Sequence, residues 1–333
     1  MKKRKCFTSN LQLTELALGT ASIGNLYKKI DDITAYKVIN FAYSNGIRYF
    51  DTSSEYGHGL AEHRLGNALR QFPRNSFIIS SKVGDLLLHN RNNFQSNSKF
   101  IDHLPFSIKY DYTYDGIMRC FEDSLQRLGM NMLDIVYVHD LDPIVHGNEL
   151  FKKYFKDFIS DGYKALDELK SSKMTKATGL GVKSSVVCKE SLKHYHFECF
   201  MLQGNYTLLE HNALYDLFPE CKKRGININL GGPFSSGILA TGSKGGYFHH
   251  KKANNDILKK VSLMEEICKK YMVDLAAVAI QFPLKNSIVS SVVFGTSSIK
   301  SVTNNINYYK QKIPSNLWND FKSYGLIHPD APT

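Results

Sequence analysis

Short apolar runs alternate with longer amphipathic stretches along the chain, and the alternation repeats about eight times. Leu16–Gly19, Ile47–Asp51, Phe77–Lys82, Leu133–His139, Ala177–Gly181, Phe200–Gln203, Ile226–Gly231 and Ile288–Phe294 have the length and near-continuous apolar character of buried strands. Between them, helical periodicity predicts helices over Asp31–Ser44, Ala61–Gln71, Tyr114–Leu128, Asp161–Ser171, Ser185–His194, Asn212–Arg224, Asp256–Tyr271, Leu275–Phe282 and Ile299–Tyr309. Asp31 or Asp32 supplies an N-cap oxygen to the first helix, and Gly129 and Gly225 stand where left-handed C-caps belong.

Strand and helix in strict alternation imply a parallel sheet with helices outside it. Eight such units favour an α/β fold closed as a (β/α)8 TIM barrel, which needs about 250 residues. The chain has 333, read as one domain over 1–333 with the barrel at about 16–310. The excess falls into an N-terminal leader, loops at 84–113, 141–160 and 234–255, and a C-terminal tail. The three loops follow strands and so belong at the C-terminal face, where barrels of this kind bind substrates. A doubly wound open sheet is the competing fold. Its glycine fingerprint is absent, because Gly19-Thr20-Ala21-Ser22-Ile23-Gly24 lacks the GxGxxG spacing.

Composition narrows the class. No stretch approaches the roughly 18 apolar residues of a membrane span, and the basic start Met1–Lys5 has no hydrophobic region behind it. The six cysteines are scattered without a CxxC pair, which fits reduced thiols in a cytoplasmic protein and neither zinc nor a disulfide framework. The net charge of +11 is spread along the chain as Lys-Lys pairs, without an arginine-rich tract or interleaved aromatic residues. A lysine-rich solvated surface accounts for it, and no nucleic-acid or membrane partner is expected.

The predicted strand ends carry the chemistry. Asp51, Lys82 and His139 end the second, third and fourth strands, and Tyr56 lies in the loop just past Asp51. Taken singly, each has a plain structural reading: a turn cap, a surface lysine, a core histidine, a packed loop tyrosine. Together they stand at one mouth, where barrel enzymes gather catalytic groups from several strands. A phenol with a pKa near 10 is a poor base at neutral pH. A nearby ammonium is expected to bring it down, a carboxylate is needed to pair that buried lysine, and a histidine can orient a substrate oxygen. Asp, Tyr, Lys and His so disposed make an acid/base device with no nucleophile and no metal. Its natural partner is a hydride carrier.

Phe50-Asp51-Thr52-Ser53 with Tyr56-Gly57, Ser80-Ser81-Lys82-Val83-Gly84 and Val136-Tyr137-Val138-His139-Asp140 resemble the signature segments of the aldo-keto reductases. The resemblance implies a nicotinamide-linked oxidoreductase on a (β/α)8 barrel. Tyr56 would be its general acid/base, Lys82 and Asp51 would tune it, and His139 would orient the carbonyl. Leu16–Tyr27, Tyr56–Gly66 and Tyr206-Thr207-Leu208-Leu209 are similar to the branch holding D-threo-aldose, L-fucose, L-galactose and pyridoxal dehydrogenases. A small carbonyl or sugar-like substrate is the implied partner.

The same resemblance assigns cofactor contacts. Gly19 and Thr20 follow the first strand, Ser184 stands in Lys183-Ser184 where relatives carry a Ser-Asn pair, and Gln203 matches the amide-binding glutamine. Phe234 takes the place of a stacking tyrosine. Gly295, Thr296, Ser297 and Lys300 open the last helix of the barrel, and Asn305 matches the adenine-binding asparagine. No basic pair for a 2′-phosphate is present, so NAD is expected over NADP. His58 and Tyr110-Asp111-Tyr112 are open as substrate contacts or loop packing, and Asn90–Ser98 as a loop over the mouth. Two other functions remain open. One is a cofactor-binding regulatory protein with little turnover, such as potassium-channel β-subunits resemble. The other is a metal-dependent hydrolase using His139, Asp140 and Asp142.

Overall fold

The computed structural model describes residues 1–6, 11–89, 98–244 and 246–333. Parallel strands close into a barrel in the order β1 (Leu16–Gly19), β2 (Tyr49–Asp51), β3 (Ile78–Val83), β4 (Ile135–His139), β5 (Ala177–Val182), β6 (Cys199–Gln203), β7 (Asn227–Gly231) and β8 (Val289–Gly295). The seam pairs Val292–Gly295 of β8 with Leu16–Gly19 of β1. Both faces of every strand are covered, which is why the strands read as apolar runs rather than alternating ones. Leu16 and Leu18 join the large core under the helices, while Ala17, Tyr49, Tyr137, Cys199 and Met201 form a smaller core with the lumen residues.

The predicted caps are in place. The Asp31 side chain accepts from Thr34 N, and Gly129 and Gly225 close their helices in the left-handed region. The leader is an antiparallel hairpin, Lys3–Lys5 with Gln12–Thr14, which plugs the N-terminal end of the barrel. Arg4 reaches from it to the carbonyls of Leu284, Asn286 and Val289, and its Nε lies 2.6 Å from Glu15 Oε1.

Four expectations need correction. The segment after β4 is a helix, Pro143–Asp157, running through a π turn at Phe158–Gly162 into Tyr163–Ser171, and not a loop. None of its residues is fully buried and Gly147 leaves helical geometry, so only its last turns, with Phe151, Tyr154 and Phe155 partly buried, pack on the core. The helix expected over Asn212–Arg224 is two, Ala213–Asp216 and Phe218–Arg224, divided at Leu217 just ahead of Pro219. The loop after β3 carries the hairpin Asp85–His89 with Phe106–Tyr110. The C-terminal tail contains a helix, Ser315–Ser323, that buries Leu317, Trp318 and Phe321.

Candidate active site

The acidic strand end, the lysine and the phenol meet at the C-terminal mouth. Lys82 Nζ donates to Asp51 Oδ2 at 2.8 Å and to the Thr52 carbonyl at 2.7 Å. It also lies 4.6 Å from the centre of the Tyr56 ring and is a hydrogen-bond partner of the phenol. Ser80 Oγ donates to the other Asp51 oxygen at 2.7 Å. From Ser80 a hydroxyl chain runs down the lumen through Tyr49 and Tyr137 to Asn229. The Tyr56 loop is seated on the loop after β1: a Cβ on Gly24 would stand 2.7 Å from the Tyr56 carbonyl, and Gly57 has φ +66°. Glycine is required at both places.

Burial pulls the Lys82 ammonium down, but Asp51 and the Tyr56 oxygen outweigh it, so Lys82 titrates above ordinary lysine. For Tyr56 the expected lowering is not the net result. Burial raises the phenol more than Lys82 lowers it, and Asp51 and Glu55 add to the rise. The lysine charge is already neutralised by Asp51, so Tyr56 rests as a protonated donor.

His139 ends β4 with its ring edge toward Tyr56, the two centroids 6.1 Å apart. Its Nδ1 is 3.2 Å from Ser53 Oγ and 3.4 Å from Asp85 Oδ2, and its Nε2 is 3.7 Å from Glu55 Oε2. Burial lowers the imidazole, yet Asp140, Asp85 and Glu55 together raise it above the ordinary histidine value. Lys99 pairs with Glu55 at 2.9 Å and Lys183 with Asp140 at 3.0 Å. Glu55, Lys99, Lys183 and Asp85 were given no role in the sequence, and Asp140 was read only as a metal ligand. The only signal was an acid directly after a tetrad residue or a glycine turn.

Several tentative contacts are structural. His58 is buried, bonds the Phe106 carbonyl through Nδ1 and stacks on His103. Tyr112 is fully buried and donates to the His139 carbonyl at 2.7 Å, and Asp111 accepts from Thr113 at the start of a helix. Tyr110 is half-buried and feels Glu55, Asp85 and Asp140, which leaves it at the mouth. Asn90–Asn97 lie outside the described residues. Glu55, His139 and Asp140 bring one ligand atom each within 4.8 Å, but both carboxylates are held by lysines. Asp142 caps the helix Pro143–Asp157 and accepts from Lys183 N. These groups do not fit the hydrolytic metal set.

The remaining residues surround the rim from β5 to β8 and back to β1. Gly19 pairs with Gly295, and Thr20 Oγ1 is buried beside them without a partner. A Cβ on Gly295 would find only Ser22 Oγ at 3.6 Å and the Gly19 carbonyl at 3.9 Å. Thr296 is buried, Ser297 is half-buried and Lys300 is exposed ahead of a buried Asn305 on the helix Ile299–Lys310. The Ser298 side chain does not cap that helix, so its first amides stay open to an anion. Ser184 is half-buried before the helix Ser185–Ser191, and Phe234 is half-buried after β7. Gln203 is exposed at the end of β6, with Nε2 3.3 Å from His250 Nε2, and Tyr27 OH meets the other nitrogen of that ring at 2.9 Å. An orphaned hydroxyl, a clear glycine floor and an uncapped helix fit a dinucleotide.

The aldo/keto reductase family model matches residues 15–325. The chain belongs to the aldo/keto reductase family. As a member it is an NAD(P)-dependent oxidoreductase. It is 35% identical to pyridoxal 4-dehydrogenase of Microbacterium luteolum over 98% of each chain, and 32% identical to D-threo-aldose 1-dehydrogenase of a Pseudomonas species over 96% of each. An aldo-keto reductase of Bacillus halodurans in its holo form superposes with a TM-score of 0.75 at 24% identity, covering 97% of this chain and 96% of that one. This aldo/keto reductase therefore shares its barrel with solved members of the family. Among the described residues, no helix is long and apolar enough to cross a membrane.

Proposed function

We propose that the chain oxidises a sugar-like hydroxyl or hemiacetal, or reduces an aldehyde in the reverse direction, with Tyr56 as general acid/base. The observation that carries this reading is Lys82 touching Asp51 and Tyr56 at once, with His139 across the same mouth. The nicotinamide ring, when bound, supplies or accepts the hydride. The protein's part is the proton. Tyr56 Oη gives its proton to the oxygen of the aldehyde during reduction and takes it back from the alcohol during oxidation. Lys82 stabilises the phenolate left behind, and Asp51 keeps Lys82 charged and fixed. His139 Nε2 faces the same oxygen and orients it.

Gly19, Thr20, Ser184, Gln203 and Phe234 would hold the nicotinamide end. Gly295, Thr296, Ser297, Lys300 and Asn305 would hold the adenosine phosphate end. Glu55, Asp140 and Tyr110 offer polar contacts to substrate hydroxyls, which suits an aldose or the hydroxylated ring of pyridoxal. The named activities of the two relatives above support this substrate class. Screening NAD and NADP reduction against aldoses and pyridoxal identifies the substrate. In that assay Tyr56→Phe is expected to lose about a hundredfold or more in turnover while cofactor binding stays intact. Unchanged turnover would overturn the assignment of Tyr56.

A further inference from the structure

Asp85 is fully buried and has no lysine or arginine partner among the described residues. It follows Gly84 just past β3, and its Oδ2 accepts from Ser54 Oγ at 2.9 Å and from Ser53 Oγ at 3.4 Å. The same oxygen lies 3.4 Å from His139 Nδ1, while Oδ1 makes no hydrogen bond among the described residues. A buried carboxylate with an idle oxygen is costly to maintain. Its position behind the histidine gives it a use.

We propose that Asp85 is a positioning residue for His139: by accepting from Nδ1 it fixes a proton there and leaves the Nε2 lone pair toward the mouth. The proposal rests on the reading of His139 as the group that orients the substrate oxygen. A carboxylate only accepts, so the neutral imidazole opposite it carries its hydrogen on Nδ1. Ser53 Oγ, 3.2 Å from Nδ1 and within reach of Asp85, can relay the same bond. Tyr112 holds the His139 backbone from below through its carbonyl.

The consequence concerns direction. Neutral His139 offers a lone pair that accepts the O–H of an alcohol or hemiacetal as it binds, before that proton passes to the Tyr56 oxygen in oxidation. To donate to the oxygen of an aldehyde it must take a second proton on Nε2. The groups facing it are Asp85 after β3, Glu55 after β2 with its Lys99, Asp140 with its Lys183, and Tyr56 above Lys82. The carboxylates outweigh burial and favour that second proton. Asp85 thereby sets how readily His139 donates to the aldehyde oxygen.

The test is a nitrogen-15 spectrum of the full chain with labelled histidine, His139 being assigned by its absence in His139→Asn. In the wild type at alkaline pH, the proton is expected on Nδ1. In Asp85→Asn the titration midpoint of His139 should fall by about one pH unit, with the alkaline limb of aldehyde reduction moving down alongside it. A neutral wild-type imidazole protonated on Nε2 would overturn the proposal. So would an Asp85→Asn variant whose His139 midpoint and rate profile stay in place, because a merely structural carboxylate moves neither. If that variant does not fold, the wild-type tautomer decides the matter. The spectrum needs no turnover, so it fails separately from the assignment of Tyr56.

Discussion

Lys82 Nζ and Asp51 Oδ2 lie 2.8 Å apart with each side chain only 3% exposed, so the ion pair at the base of the site is a buried one. Removing one member leaves the other charge stranded in the barrel. Lys82→Met is expected to cost about 3–5 kcal/mol by denaturant unfolding. Asp51→Asn combined with Lys82→Met should recover part of that loss, and a purely additive double variant would show the pair to be uncoupled.

His139 titrates above ordinary histidine in the folded chain, and the sign of its linkage follows. Its protonation favours the fold, so the stabilisation is complete below the unfolded value near 6.5 and is lost as pH rises through the folded-state value. The stability advantage of the wild type over His139→Gln should therefore shrink from pH 6 to pH 9. Urea melts across that window measure it, and an advantage that grows with pH contradicts the carboxylate cluster.

A methyl group on Gly24 would meet the Tyr56 carbonyl at 2.7 Å. The loop that carries the phenol has to move to admit it. Gly24→Ala is expected to cost about 1–3 kcal/mol. Its larger effect falls on rate, since a misplacement of 1 Å is worth about a hundredfold. Comparing kcat with the unfolding midpoint in the same preparations separates the two.

Lys300 is the basic side chain at the opening of the helix Ile299–Lys310, and neither Gly295 nor Ser301 adds a charge there. NADH should bind at least as tightly as NADPH in fluorescence titration. Tenfold tighter binding of NADPH would falsify the preference.

The barrel was legible because a strand covered on both faces has to be apolar throughout, as in Val136-Tyr137-Val138. The tetrad was legible because Asp51, Lys82 and His139 interrupt those runs at their ends. Asp85 was not, since its meeting with His139 spans 54 residues and leaves no periodic trace. The helix Pro143–Asp157 hid because its apolar face, Phe151, Tyr154 and Phe155, is short, only partly buried and cut off from its start by the kink at Gly147. The direction of the Tyr56 shift needed the structure as well, because it depends on how completely Asp51 neutralises Lys82.

Arg4 binds carbonyls 280 and 285 residues further along the chain, next to the seam where β8 meets β1. The floor of the barrel is thus built from segments 280 to 285 residues apart. A nascent chain can stack its early βα units on the ribosome, but it holds the open seam and the unanchored hairpin until the final unit emerges. Maturation of the site therefore waits for β8, and the half-made barrel, with both edge strands bare, is the species that chaperones would have to protect.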